Sequence, residues 1–224
     1  MRRTLVKIVE QSNKMIRMLK FSEIKDINHK DFEEAIRIYE DSFPLNERQS
    51  IDTIKKRIEG NLYQMFIGRS KDKVVFMALL YPLKNTDFIL LDYMVTDKNF
   101  RNKGMGTEFI KNILGKITPK YLILEVENPR SGNNKEQREK RADFYKRLGA
   151  KEMKDVRYIL PPLSDNIPTE MILMVLPEYG GGKMDSSLVK KLIVQMYKEL
   201  YDRNENDDLL NSFVSDIKNP VELA

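Results

Sequence analysis

The sequence predicts an α/β (α+β) protein with a mixed, mostly antiparallel sheet, a central parallel strand pair, flanking helices and a C-terminal helical extension. Strand-like apolar runs separated by turns of hairpin length lie between residues 63 and 96. A strand–helix–strand–helix order follows up to residue 148, and such a crossover joins parallel strands. Three consecutive glycines at 180–182 then precede an amphipathic helix.

The individual elements follow from apolar periodicity and from helix start and stop signals. In the first part of the chain we expect helices over 3–17, 31–43 and 50–59 and strands over 18–24, 63–68, 74–81 and 88–96. Asp31 is the expected cap of the second helix, and Gly60 the expected end of the third. Further on we expect helices over 105–114 and up to 148, strands over 121–126, 156–160 and 171–176, and a polar insertion over 128–137.

Three parts of the chain are predicted: an N-terminal helical extension over 1–17, one α/β domain over 18–178, and a glycine linker with a helical extension over 179–224. The last helix, capped by Asp185 or Ser186, carries a wide apolar stripe: Leu188, Val189, Leu192, Ile193, Met196, Tyr197 and Leu200. This extension is too small to hold its own core. We therefore expect it to pack on the domain or against a second subunit, which suggests a homodimer through the C-terminal helix.

Composition excludes several classes of protein. The chain has no cysteine, which removes disulfides, thiolate metal sites and cysteine nucleophiles. The single histidine, His29, lies in a polar stretch typical of a loop or helix cap, so we expect no metal. The net charge of +5 comes from interspersed charges without a basic block, and no apolar run approaches the roughly 20 residues of a membrane span. A cytoplasmic protein that binds neither nucleic acid nor membrane is expected.

The most informative segment joins the strand over 88–96 to the next helix. It contains Arg101-Asn102-Lys103-Gly104-Met105-Gly106-Thr107, that is, Arg-x-x-Gly-x-Gly at a helix start. Glycines there let the backbone approach a ligand closely, and the helix N-terminus attracts negative charge. Arg101 and Lys103 add positive charge. The pattern has neither the Gly-Lys-Ser/Thr ending of a P-loop nor the third glycine of a dinucleotide-binding turn, and it predicts a pyrophosphate site of another kind.

This stretch resembles the coenzyme A-binding motif of the GNAT superfamily of N-acetyltransferases. A second hallmark follows in the expected order, because Phe144-Tyr145-Lys146-Arg147-Leu148-Gly149 is similar to the end of the helix after the family's next strand. The resemblance covers roughly residues 18–177. It implies a GNAT-type sheet over 18–178 and acetyl-CoA as the cosubstrate, bound by Met94, Val95 and residues Arg101 to Thr107.

The resemblance also implies roles in acetyl transfer to a primary amine. Backbone amides near Met94 and Val95 would bind the thioester oxygen as an oxyanion hole. Tyr145 matches the family's tyrosine that protonates the departing thiolate. The general base is left open among Asp92, Glu125, Glu127 and Glu47, and some members of the family use water instead.

Two features depart from the family pattern. Arg138 and Arg141 replace an asparagine and an alanine, and the polar insertion over 128–137 is longer than usual. The acceptor is predicted only as a small molecule or a peptide carrying a primary amine, and a longer acyl group remains open. The alternative interpretation is a non-catalytic CoA-binding regulatory or interaction module of the same fold.

Overall fold

The structure, a computed structural model, describes residues 20–117, 120–132, 134–163 and 167–224. Its helices are α1 (Lys30–Ser42), α2 (Ile51–Glu59), α3 (Met105–Ile117), α4 (Lys135–Arg147), α5 (Ser186–Leu200) and α6 (Asp208–Val214). Its strands are β1 (Lys20–Ile24), β2 (Gln64–Ser70), β3 (Lys73–Pro82), β4 (Phe88–Thr96), β5 (Tyr121–Glu127), β6 (Lys151–Glu152), β7 (Tyr158–Leu160), β8 (Thr169–Leu176), β9 (Lys183–Met184) and β10 (Val221–Glu222). The helix predicted over 3–17 lies outside the described residues.

The first of two compact units consists of Met1–Pro82 and Leu91–Thr118. Strands β1, β2 and β3 pair antiparallel in chain order, and β3 is followed in the sheet by β4, whose last six residues belong to this unit. Strand β3 is buried from Val74 to Tyr81, as its unbroken apolar sequence predicts. The Phe109 ring of α3 packs on Phe21 and Phe76, with ring centroids 5.4 and 5.0 Å away.

The second unit consists of Leu83–Leu90 and Pro119–Ala224. Here the start of β4 lies beside β5 in the sheet's one parallel pair. Strand β8 pairs antiparallel with β5, β6 and β7, so the sheet order is β1-β2-β3-β4-β5-β8-β6. The mixed, mostly antiparallel sheet with a central parallel pair, predicted from the order of strands and helices, is therefore confirmed.

The C-terminal helices belong to the second unit. All residues of the predicted stripe on α5 are buried except Leu188, which is half-buried, and Asp185 caps the helix. Rings of Tyr158 on β7, Tyr197 on α5 and Phe213 on α6 lie about 6 Å from one another. The stripe thus packs within the chain, which is one of the two arrangements expected from the sequence, and a homodimer through the C-terminal helix stays a prediction. The sequence analysis missed α6, β6 and the β9–β10 pair.

Two helix ends differ in detail from their predictions. His29, not Asp31, is the N-cap of α1, because its Nδ1 accepts the backbone N–H of Asp31 at 3.2 Å. Asp31 is instead buried and paired with Arg69. Helix α2 does end at Glu59, but the residue with left-handed backbone is Asn61 (φ 55°), while Gly60 has φ −75°.

The described helices are short compared with the thickness of a bilayer. The longest helix in the described ranges, α5, has 15 residues, whereas a span needs roughly 20 apolar ones. None of the described helices is long and apolar enough to cross a membrane.

Within the second unit, Glu125 on β5 forms a hydrogen bond that links the C-terminal extension to the sheet. One of its carboxylate oxygens accepts the hydroxyl of Tyr158, and the other accepts that of Tyr201 at 2.7 Å. Tyr201 directly follows α5. We expect Tyr201→Phe to lower the free energy of unfolding by about 1.5–3 kcal/mol, because a hydrogen bond to a charged group is lost. Urea unfolding followed by circular dichroism measures the change.

The control for this prediction is Tyr179→Phe in the same unit. The Tyr179 ring packs on Phe88 and Tyr121, and its hydroxyl has no hydrogen-bond partner among the described residues. The control should change the unfolding free energy by less than about 0.5 kcal/mol. Equal effects of the two substitutions would contradict the assigned role of the Tyr201–Glu125 bond.

Candidate functional site

Strand β4 presents one half-exposed face toward its C-terminal end. Leu91, Tyr93 and Val95 are buried, whereas Asp92, Met94 and Thr96 are half-buried. This alternation follows the two-residue period of a strand, so the last three lie on the same face. The structure therefore brings the candidate base Asp92 and the predicted oxyanion-hole residue Met94 onto one face.

The loop after β4 leads into α3 at the point where the Arg-x-x-Gly-x-Gly pattern predicts a helix start. Asp97 caps a short 3-10 turn (Lys98–Phe100), accepting the N–H of Asn99 at 2.8 Å. Asn102 (φ 60°) and Gly104 (φ 79°) then adopt left-handed conformations, and α3 begins at Met105. The first backbone N–H groups of a helix lack partners within the helix. Residues 105–107 thus form a helix N-terminus suited to an anion.

The two cations of this loop have neutral partners. Arg101 Nε donates to the Thr96 carbonyl and its Nη2 to Ser42 Oγ, both at 3.2 Å. Lys103 Nζ donates to the Asn99 carbonyl at 3.1 Å and lies 4.7 Å from the centre of the Phe100 ring. Neither cation pairs with a carboxylate in the described part of the chain. Their positive charges are therefore not neutralised locally.

Asp92 belongs to a hydrogen-bonded chain of three side chains. The Tyr63 hydroxyl donates to Asp92 Oδ2, and Arg57 Nη1 donates to the Tyr63 hydroxyl at 3.0 Å. Burial raises the pKa of Asp92 from 3.8 to about 6, while the Tyr63 hydrogen bond and the Arg57 charge act to lower it. A carboxylate with a pKa slightly below neutral is ionised at pH 7 and suited to general-base catalysis.

Sequence reasoning missed Arg57 and Tyr63. The signal for Arg57 was present: with Ile54 and Ile58 it occupies the buried stripe of α2. A charged residue on a buried stripe needs a partner. Tyr63 was treated only as the start of a strand.

Glu47 lies in the 3-10 turn Leu45–Glu47. Hydrogen bonds connect the loop over 44–50, which contains this turn, to β4. The Tyr93 hydroxyl donates to the Glu47 carbonyl at 3.2 Å and accepts the N–H of Gln49 at 3.1 Å. The Tyr39 hydroxyl of α1 donates to the Gln49 carbonyl at 3.2 Å. The side chain of Glu47 is exposed, so this loop carries an acidic residue on a segment anchored to Tyr93 of β4.

Two predicted catalytic residues belong to the second unit. Tyr145 on α4 is half-buried, and its ring lies 5.0 Å from that of Phe144. Its hydroxyl has no hydrogen-bond partner among the described residues. Burial raises its pKa to about 12, an effect that Arg141 partly offsets, so the hydroxyl keeps its proton at neutral pH. Glu125, by contrast, already accepts hydrogen bonds on both oxygens from Tyr158 and Tyr201.

Arg138 holds the polar insertion in place. Its Nη1 donates to the carbonyls of Asn128 and Ser131, and its Nη2 lies 3.4 Å from a Glu127 carboxylate oxygen. Glu127 also pairs with Arg141 at 2.6 Å. The two arginines that depart from the family pattern thus serve the insertion and the end of β5. No group of three His, Asp or Glu side chains in the described ranges could hold a metal ion.

Comparison with known proteins gives likenesses of structure only. No protein-family model and no curated protein sequence matches the chain. A GNAT-family acetyltransferase from Bacteroides thetaiotaomicron is 18 % identical with a TM-score of 0.70, covering 83 % of this chain and 99 % of that one. The ribosomal-protein-S18-alanine N-acetyltransferase of Escherichia coli is 21 % identical with a TM-score of 0.53, covering 71 % and 94 %.

A third similar structure is Arabidopsis thaliana Naa50 in complex with a bisubstrate analogue, CoA-Ac-MVNAL. It is 16 % identical with a TM-score of 0.50, covering 70 % of this chain and 97 % of that one. Residues 1–178 make up less than four fifths of this chain, so the Bacteroides match at 83 % extends into the C-terminal extension. With the sheet order described above, these likenesses show that the chain has the fold of the GNAT acetyltransferases.

Proposed function

We propose that this protein is an N-acetyltransferase that moves an acetyl group from acetyl-CoA to a primary amine of a small molecule or peptide. The proposal rests on two features of strand β4 and the loop that follows it. One face of the strand bears a half-buried carboxylate, and the strand leads into a left-handed glycine turn at a helix N-terminus. An anion site and a candidate base are thus provided by one short stretch of chain.

The loop would bind the pyrophosphate of the cosubstrate. Backbone N–H groups of Met105, Gly106 and Thr107 would donate to phosphate oxygens, with the positive end of the α3 dipole behind them. Arg101 and Lys103 would exchange their carbonyl, hydroxyl and ring partners for phosphate oxygens. Each charge-assisted hydrogen bond contributes about 1.5–3 kcal/mol. Within the described ranges neither cation has a carboxylate partner, which supports this role because no ion pair there must be broken.

Acetyl transfer needs a neutral amine, an oxyanion site and a proton for the leaving group. Asp92 would accept a proton from the acceptor's ammonium group, and the amine nitrogen would then attack the thioester carbon. Backbone N–H groups near Met94 and Val95 would stabilise the oxyanion. As the carbon–sulfur bond breaks, Tyr145 would donate its proton to the thiolate. The extra proton of the attacking nitrogen would then return the tyrosine to its neutral form, so the products are an N-acetylated acceptor and free CoA. The Tyr145 hydroxyl is protonated and has no hydrogen-bond partner among the residues that the structure describes, which supports this last role.

Asp92 is preferred over the other candidate bases for a geometric reason. Both oxygens of Glu125 accept tyrosine hydroxyls, and Glu127 is paired with Arg138 and Arg141. Asp92 has one oxygen without a hydrogen-bond partner in the described part of the chain. The exposed Glu47 is the second choice.

The predicted pyrophosphate site over 101–107, called the phosphate loop from here on, is tested by the substitution Gly104→Glu. A side chain at φ 79° strains the turn, and the new carboxylate repels phosphate, so we expect affinity for acetyl-CoA to fall more than about 100-fold. Isothermal titration calorimetry with acetyl-CoA and with CoA measures the loss.

The matched control is Gly115→Glu, which places the same charge near the other end of α3. A Cβ at position 115 meets no atom within 4 Å. Its affinity for acetyl-CoA should stay within a few-fold of the unmodified protein. If neither acetyl-CoA nor CoA binds the unmodified protein, the proposal is wrong.

Asp92 predicts a specific pH dependence. Because burial raises its pKa to about 6, the carboxylate is present above pH 6 and is lost as the pH falls through 6. In a panel of primary amines assayed by release of CoA thiol, kcat/KM should show an acid limb near pH 6. Asp92→Asn should lower kcat/KM roughly 10²- to 10⁴-fold. The limb should persist in Glu47→Gln, and its loss there would assign the base to Glu47 instead.

The substitution Tyr145→Phe tests whether Tyr145 acts in the chemical step and not in binding of acetyl-CoA. The hydroxyl has no partner in the described residues, so its removal should leave both the melting temperature and the acetyl-CoA affinity unchanged. We expect kcat to fall by roughly 10²-fold because the acid is missing. Tyr121→Phe, a half-buried tyrosine of the same unit, is the control and should keep its kcat. Tight acetyl-CoA binding without turnover of any amine would favour a non-catalytic CoA-binding module.

A further inference from the structure

Arg57 is a charged side chain placed inside the first unit. Only 6 % of its surface is exposed, and it lies on the buried stripe of α2. It holds Tyr63 at two points: its carbonyl accepts the Tyr63 N–H at 3.0 Å, and its Nη1 donates to the Tyr63 hydroxyl at 3.0 Å. The guanidinium carbon is also 5.3 Å from the centre of the Tyr63 ring. These contacts fix the direction of the hydroxyl, which donates to Asp92 Oδ2.

We propose that Arg57 and Tyr63 are positioning residues that hold Asp92 as a carboxylate in one orientation, leaving Oδ1 to take the proton of the acceptor amine. The proposal deepens the function proposed above and rests on it. Neither residue would touch the substrate. Both would act through Asp92.

Burial by itself favours the protonated, uncharged form of Asp92. The groups that interact electrostatically with Asp92 are Tyr39 on α1, Arg57 on α2, Tyr63 before β2 and Tyr93 on β4. Arg57 is the charged member of this set. Its charge and the Tyr63 hydrogen bond both favour the carboxylate. Without them a larger fraction of Asp92 would be protonated at pH 7 and unable to accept a proton.

A tyrosine suits the position between the two charges. Burial and the nearby Asp92 charge raise the pKa of Tyr63 well above its usual value, so its hydroxyl remains a donor at every pH at which the protein would work. The hydroxyl accepts from Arg57 and donates to Asp92 at the same time, using both of its hydrogen-bonding capacities. Donation in a fixed direction removes the rotational freedom of the carboxylate.

The test measures the titration of Asp92 directly and needs no acceptor. Protein labelled with ¹³C at the aspartate carboxyl carbon is titrated between pH 4 and 8 by NMR, and the Asp92 signal is identified by its absence in Asp92→Asn. The unmodified protein should titrate at a pKa of about 6. In Tyr63→Phe, which keeps the ring, the pKa should rise by about one unit or more, as expected for loss of a hydrogen bond to a charged group.

Tyr39→Phe is the matched control. Tyr39 is a buried tyrosine of the same cluster, but its hydroxyl donates to the Gln49 carbonyl and not to Asp92. The pKa of Asp92 should therefore change by only a few tenths of a unit. An unmoved titration in Tyr63→Phe would overturn the proposal.

Arg57→Met gives a second, independent measurement. It should also raise the pKa of Asp92, and the shift in the double variant with Tyr63→Phe should be smaller than the two single shifts combined, because Arg57 acts partly through Tyr63. If Arg57→Met does not fold, Arg57→Lys keeps the charge and should show a smaller shift than Tyr63→Phe. Fully additive shifts would contradict action through Tyr63.

The same proteins are titrated with acetyl-CoA by calorimetry, which separates this proposal from the proposed function. Both single variants should bind acetyl-CoA as the unmodified protein does, since neither residue belongs to the phosphate loop. Absence of acetyl-CoA binding in the unmodified protein would refute the acetyl-transfer proposal even if the titration shifts were observed. Normal binding with unmoved titrations would refute only the positioning role.

Discussion

The carboxylate of Asp92 on the half-buried strand β4 is the constraint on which the first unit's polar interior depends. A carboxylate loses hydration there and must recover interaction energy from protein groups. Helix α2 carries Arg57 on its buried side, and the turn after this helix brings Tyr63 back onto Arg57's own carbonyl. Helix α2 and the turn that follows it thus supply the positive charge and the hydrogen bond that stabilise the Asp92 carboxylate.

The two units use the same pair of chemical groups for different purposes. Each has a carboxylate within a strand that accepts a hydrogen bond from a tyrosine, Asp92 in the first and Glu125 in the second. Glu125 accepts from two tyrosines and thereby ties the end of α5 to β5. Asp92 accepts from one tyrosine, which is itself held by a buried cation. The number of donors, and not the kind of residue, distinguishes a structural role from a candidate catalytic one.

Sequence patterns predicted the strands and helices that have a local apolar periodicity. They did not predict contacts between residues that are far apart in the chain. The longer strands and most helix ends followed from apolar runs, the apolar stripes and Gly149, and the glycine pattern at 104–106 marked the start of α3. Arg57 and Tyr63 were missed because their role depends on Asp92, some 30 residues away in the chain. The pairing of β6 with β8, and of residues 221–224 with β9 and β6, involves strands of two residues, too short to show any period.

The polar insertion after β5 has a consequence for how sequences of this kind diverge. Gly132 has φ 73°, and a Cβ there would stand 2.9 Å from Arg138 Nη1. The guanidinium cannot move aside without losing the carbonyls of Asn128 and Ser131 that it binds. Relatives that keep the arginine should therefore keep the glycine. With a smaller polar residue at 138 the contact is relieved, but the left-handed backbone would still favour glycine or asparagine at 132.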